Sequence, residues 1–492
     1  MVLDVPRSPT RDAKGHPSPR RLRDAWIALC GLSAVFLFEM LDDSILNVAL
    51  PTIGRDLDAS TSGLQWVTGA YSVAFGSLML LFGAIADRFG RRRVMLAGLV
   101  LLAVAGSAAV LVTSTDQLIA VRAVMGVAAA MTTPGSMALA FRLFDAEDLR
   151  VRAMTVISTA GLAGLAVGPT AGGLVLAVAP WQVLLLVNVP IAALAFVGIR
   201  VGIAADARAE LRSDPIDVVG ALLGTATITA ALVAPTLFVG GGSGSWAPWA
   251  ATAAAIAAGT AFAVRQRRAR HPLLELRLIS LPLVSSGLAF KAAAGLAVAG
   301  LSYLVTLQLQ LAWGWPPALA AVALLPQVVV LLASGRLVGP FVRRVGLDRA
   351  ARASATAVVA GLAVFAVLGR LGYVWVLIAL VLVAAGVRVV GVVAGTNVLR
   401  GLPADRTSVG AAQVDTSSEL ATAIGIAATG TILAAVVTGS ITSAPATASG
   451  LAQLHGAIAI AGSTLALAAA ALVALGAIRS RTTTSNQEPA HV

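Results

Sequence analysis

Three carboxylates, Glu39, Asp42 and Asp43, fall within the stretch EMLDDSILNVALP (residues 39–51), inside a strongly apolar run. Carboxyl groups in such a setting bind cations or exchange protons. Like charges held close together and a low dielectric favour the protonated form, whereas a nearby guanidinium favours the ionised one. A guanidinium is available, because Arg122 lies in another apolar run, LIAVRAVMGVAAAMTTPGS. Wound as an α-helix, positions 39, 42 and 43 cover an arc of about 100°, so one face presents all three. A second acidic pair, Asp415 and Glu419 in AAQVDTSSELATAIGIA, is spaced four apart and also shares a helical face. Each cluster has two readings. One is proton coupling or cation recognition. The other is structural pairing, with Arg122 for the first cluster and with Arg388 or Lys291 for Glu419. A central Asp costs about 2.5–3.5 kcal/mol on membrane-insertion scales, so neither cluster is neutral decoration.

Other chemistries are excluded by what is missing. The four histidines, His16, His271, His455 and His491, lie in tails, in loops or at a helix end, and no cluster has metal-ligand spacing. The two lysines, Lys14 and Lys291, lie in no phosphate-cradling GxxxxGK[ST] loop, so no nucleotide site is encoded. No cofactor is expected, and an electrochemical proton gradient is the expected energy source. The single cysteine, Cys30, rules out a disulfide framework.

The elements that must carry these residues are membrane spans. The chain has 492 residues, 58% hydrophobic and 12% charged, and its mean hydropathy of +0.89 is far above that of soluble domains. Apolar runs without polar alternation favour spanning helices over a barrel. Fourteen runs near the roughly 20 residues that cross a ~30 Å core can be drawn, centred from residue 38 to residue 466. With the N-terminus cytoplasmic, 30 of the 35 basic residues fall on the cytoplasmic side, with Arg55 and Arg370 outside and Arg122, Lys291 and Arg388 within spans. This bias supports the count and places both termini in the cytoplasm. The net charge of +12 is thus explained by topology, and no nucleic-acid partner is expected. GAIADRFG (83–90) and GPFVRRVG (339–346) share glycines at one spacing, eight spans apart. That offset implies two six-helix halves separated by an inserted pair, and repeated halves imply a transporter with its site between them.

Taken together these motifs resemble the major facilitator superfamily. GAIADRFGRRR (Gly83, Asp87, Arg88, Gly90, Arg91 and Arg92) is similar to the loop signature between the family's helices 2 and 3. GLAVGPTAGG (Gly164, Gly168, Pro169, Gly172 and Gly173) resembles the helix 5 motif of its antiporters, and LDDSILNVALP resembles helix 1 of the fourteen-helix drug:proton antiporter branch. Met125 stands where that pattern usually has glutamine, Gln182 where arginine is common, and Asp43 where the residue is usually uncharged. The second half places Arg343 where the first has Asp87.

The resemblance implies an all-α integral membrane protein of the major facilitator fold. It divides into a cytoplasmic disordered tail (1–24), a six-helix bundle (25–204), two inserted helices with flanking loops (205–280), a second six-helix bundle (281–478) and a cytoplasmic tail (479–492). The implied function is proton-coupled export of amphipathic drugs or antibiotics, with cations among the candidates, from the cell membrane by alternating access, as a monomer in the lipid bilayer. Glu39, Asp42, Asp43 and Arg122 are the expected coupling residues, with Glu39 and Asp42 foremost. Asp415, Glu419, Tyr71 and Gln308 are the expected substrate contacts. Asp87 is expected to latch the two halves, and the helix 5 glycines to form a packing face kinked by Pro169. Two alternatives stay open: dedicated transport of one metabolite such as a self-made antibiotic, and a non-transporting membrane sensor.

Overall fold

A computed structural model describes residues 21–144, 146–206, 217–241, 245–270, 272, 276–402, 407–437, 441 and 447–484. Residues 1–20 of the expected N-terminal tail lie outside these. The chain forms helices α1 (Trp26–Asp56), α2 (Thr61–Phe89), α3 (Arg91–Ala108), α4 (Thr115–Leu143), α5 (Glu147–Leu176), α6 (Gln182–Gly202) and α7 (Val218–Gly241). They are followed by α8 (Trp246–Arg268), α9 (Pro282–Leu307), α10 (Pro317–Ala333, continued by Gly335–Val345), α11 (Leu347–Leu368), α12 (Tyr373–Gly401), α13 (Thr407–Val436) and α14 (Ala448–Thr484). No strand occurs among the described residues. Twelve helices are long and apolar enough to cross a membrane, and counting the bent pairs in α2 (50°) and α10 (63°) as one span each gives fourteen. The protein is therefore a multi-pass membrane protein.

Local chemistry sets the helix ends. Ser60 and Ser114 cap α2 and α4, each accepting a hydrogen bond from a backbone N–H of the first turn. Gly90, with φ +108°, both ends α2 and starts α3, and Gly346, with φ +84°, does the same between α10 and α11. These are the last glycines of the two repeated segments, in a backbone region that side chains rarely adopt. The sequence repeat is thus a repeat of turn geometry, with a bent helix ahead of each copy.

The packing repeats as well. In the first six helices α1 packs on α5 and α6, α4 on α2 and α3, and α3 on α6. In the last six α9 packs on α13 and α14, α12 on α10 and α11, and α11 on α14. The two sets are joined through α5 against α10 and α2 against α13, while α7 and α8 pack on each other and α7 also touches α2 and α13. On α8, Trp246, Trp249 and Ile256 remain largely exposed, as suits a helix facing lipid.

Lipid tails are as apolar as leucine, so close van der Waals packing must hold the helices together. On α5 this falls to the glycines. A Cβ at Gly164 would lie 2.6 Å from the Leu37 carbonyl oxygen, one at Gly168 would collide with the Ser44 hydroxyl, and Gly172 rests on Ile45, all on α1. Gly173 faces the other way, where a Cβ would lie 2.7 Å from the Pro317 carbonyl of α10. The α5 helix runs unbroken through the buried Pro169, so no break marks the kink expected there. Gly164→Val should destabilise the purified protein by about 1–3 kcal/mol through overpacking, whereas Gly69→Ala, where a Cβ meets nothing within 4 Å, should leave its thermal midpoint unchanged. Thermal unfolding in detergent checks the pair.

Candidate functional site

The site is built around a charge that has no access to solvent. Arg122 projects from α4 with 0% exposure. It is brought against α2 by Gly126, whose missing side chain lets α4 close onto the Tyr71 carbonyl. Its Nη1 donates to Asp42 Oδ2 at 2.5 Å and its Nε to the Val67 carbonyl at 3.3 Å. The guanidinium lies 4.5 Å from the centre of the Tyr71 ring, a cation–π contact in a desolvated setting. Met125, the residue that departs from the family pattern, places its sulfur 4.0 Å from Nη1.

The three α1 carboxylates, predicted to share a face, have three different environments. Asp42 is 2% exposed and held at both oxygens, by Arg122 and by Asn188 of α6, whose Nδ2 donates to Oδ1 at 2.7 Å. Glu39 is buried and accepts from the Thr133 hydroxyl of α4 at 3.0 Å. Asp43 is half-buried and makes no hydrogen bond or ion pair with any described residue; the charges acting on it are Arg122 and Asp42. Sequence reasoning missed Asn188. Its signal was a lone amide in the apolar run VLLLVNVP, and Thr133 was equally unremarkable in its helix.

The candidate substrate contacts sit on both sides of this centre. Tyr71 and Gln308 are buried, the Tyr71 hydroxyl and Gln308 Nε2 have no protein partner among the described residues, and Gln308 begins the π-turn Gln308–Ala312 that ends α9. Neighbouring Gln310 donates to the Val48 carbonyl of α1 at 2.9 Å, joining the halves. Glu419 is half-buried on α13. The Asp415 side chain lies outside the described residues. Neither Lys291 nor Arg388 forms an ion pair among the described residues, so they do not supply the structural pairing considered for Glu419.

The loop motif is organised by a residue that no sequence signal marked. Asp206, following α6, accepts from the Arg92 backbone N–H at 3.1 Å, capping α3, and pairs with Arg142 of α4 at 2.7 Å. Arg92 adds a 2.6 Å bond to the Arg200 carbonyl. A Cβ at Gly90 would approach Asp206 Oδ2 to 2.8 Å, which explains the glycine at that position. Asp87, the expected latch, pairs with Arg91 at 2.9 Å within its own half. Gly83 meets only Pro134 of α4, at 3.9 Å, while Arg88 stacks near the Phe89 ring. Nearer the arginine-rich end the halves meet where the Thr416 hydroxyl of α13 lies 3.7 Å from the Met79 sulfur of α2. At the opposite end they are joined by Gln310 to Val48 and by Gln65, which donates to the Ala427 carbonyl at 3.1 Å and Thr431 at 3.2 Å.

Comparison with known proteins places this arrangement. The family model described as Major Facilitator Superfamily matches residues 32–426. The multidrug efflux pump LfrA of Mycolicibacterium smegmatis is 31% identical over 435 residues, covering 86% of this chain and 84% of that protein. The cephamycin export protein CmcT of Amycolatopsis lactamdurans is 33% identical over 343 residues, covering 68% and 67%. Among solved structures, a bacterial homologue of the human lysosomal transporter Spinster, titled as inward-facing and unoccupied, superposes with a TM-score of 0.65 at 14% identity, covering 95% of this chain and 99% of that one.

Asp206→Ala removes a buried helix cap and leaves Arg142 without this partner. Hydrogen exchange at Arg92 and Arg93 should accelerate, as expected for the loss of about 1 kcal/mol of capping, while exchange in α1 stays unchanged.

Proposed function

The chain belongs to the Major Facilitator Superfamily, and from that premise we propose that it is a proton-coupled exporter of amphipathic, preferentially cationic drugs or antibiotics. The observation that carries the reading is the buried pairing of Asp42 of α1 with Arg122 of α4, with Glu39 and Asp43 beside it on the same stretch of α1. Carboxylates placed against one guanidinium change proton affinity when that neighbour shifts, and a substrate cation enters the same balance. Asp43 of α1 and, from the second half, Glu419 of α13 are half-buried carboxyl groups, and acidic groups in the spans favour cations over anions.

Export follows from alternating access. The arginine-rich ends are read as cytoplasmic by the positive-inside rule, which puts both termini in the cytoplasm of a cell-membrane protein. Gln310 to Val48 and Gln65 to Ala427 and Thr431 bond the halves at the opposite, outer end, which supports an inward-facing reading of the conformation. In this state Asp87 rests on Arg91 and is available to the second half when the cytoplasmic ends close. The α5 glycine faces, with Gly164 and Gly168 against α1 and Gly173 against α10, provide smooth surfaces for that rocking. The functional unit is a single chain in the bilayer.

A second reading, dedicated export of one metabolite, is favoured by the likeness to a cephamycin export protein. Expression in a host lacking its own pumps separates the two. Resistance to several chemically unrelated cations supports the multidrug reading, and resistance to one compound class the dedicated one. Asp42→Asn, which strands Arg122, should lower resistance at least tenfold, and Glu39→Gln should lower it to a smaller extent. Full resistance in both variants would overturn the coupling role.

A further inference from the structure

The cluster divides its labour through Asn188. Asp42 is the residue that the helix 1 pattern marks, yet its two oxygens are already committed, one to Arg122 and one to Asn188, with 2% exposure. Protonating it would break a charge-assisted bond to a guanidinium that has no solvent to fall back on. Asp43 is one residue further on and differs in each respect. It is half-buried and has no hydrogen-bond or ion-pair partner among the described residues.

Arg122 also keeps a donor in reserve, because its buried Nη2 has no acceptor among the described residues. The neighbours of Asp43 are few. On α1 itself they are Asp42 and Glu39. The helix α4 contributes Arg122, and α2 contributes Tyr71, whose buried hydroxyl is without a partner. The helix α6 supplies only the neutral Asn188, and α5 presents glycines. The buried Tyr303 is the titratable residue of α9 nearest this level, with Lys291 three turns nearer the arginine-rich end, and Pro317–Ala333 of α10 has no charged residue.

We propose that Asp43 is the group that binds and releases the coupled proton, and that Asn188 is the positioning residue that makes this so by locking Asp42 as the permanent counter-charge of Arg122. In the protonated state Asp43 is neutral and needs no ion partner. In the ionised state it is a second acceptor for Arg122, through Nη2, and a seat for a substrate cation. One carboxyl group thereby serves proton and substrate in turn, and their competition is the exchange. The inference rests on the proton-coupled reading, but its test does not need an identified substrate.

Infrared difference spectroscopy of the purified protein in lipid, titrated with acid and base alone, reads the carbonyl stretch of a protonated buried carboxyl group. The wild type should show one such band that titrates with pH. Asp43→Asn, which removes no hydrogen bond or ion pair among the described residues, should abolish the band, while Glu39→Gln should retain it. Asn188→Leu should add a second titrating carboxyl, because Asp42 loses half its anchoring; a merely structural role for Asn188 would leave the spectrum unchanged. A band that survives in Asp43→Asn, or no titrating band in the wild type, overturns the assignment. If the band behaves as expected but transport is indifferent to a pH gradient, the assignment stands and the coupled-export reading fails.

Discussion

A guanidinium with no access to solvent is the constraint from which the rest of the site follows. Moving an ion into a low-dielectric interior costs several kcal/mol even after relaxation, of order 20 in the idealised limit, so Arg122 must be neutralised and hydrogen-bonded where it stands. Asp42 supplies the charge, the Val67 carbonyl takes another N–H, and the Tyr71 ring covers the cationic face. Each of these partners sits on a different helix from Arg122. Gly126 must then be a glycine so that α4 reaches the α2 backbone, and Asn188 must come from α6 to occupy the second oxygen of Asp42. One buried charge thereby ties α1, α2, α4 and α6 into a single unit. A unit so tied moves as a rigid body, which is what rocking of one half against the other requires.

The contrast between the two ends of the bundle completes that picture. Within the first half the arginine-rich end is dense with bonds, Asp206 capping α3 and pairing with Arg142 while Asp87 holds Arg91. Between the halves, bonds at the other end run from Gln310 to Val48 and from Gln65 to α13, and deeper in Thr416 of α13 reaches the Met79 sulfur of α2. The interface also places glycine against backbone, at Gly173 over Pro317. Such surfaces fit closely without locking side chains together, so few interactions need to break when the ends exchange roles.

Much of the fold was legible in the sequence because membrane insertion leaves it few choices. Apolar run length specifies the spans directly, and the repeated glycines of 83–90 and 339–346 mark turns that only glycine forms readily. Charges in an apolar run are equally conspicuous, so Glu39, Asp42, Asp43 and Arg122 stood out. Their ranking did not, since it depends on which oxygens are already occupied, and that is decided by Asn188 and Thr133, neutral residues far along the chain with no signature of their own. Asp206 escaped for a related reason. Its role comes from the fold returning the end of α6 to the start of α3, a juxtaposition that linear spacing does not encode. The expected latch of Asp87 on the second half depends on the state of the transporter, and a sequence carries no state.

The central claim is that proton movement and substrate movement are obligately opposed through the cluster around Arg122. It is tested most directly in sealed proteoliposomes loaded with a transported cation and an internal pH dye, with no pH gradient imposed. Outward flow of the cation through the protein should acidify the lumen, and the acidification should disappear in Asp43→Asn. Cation efflux with no change in luminal pH would contradict the account.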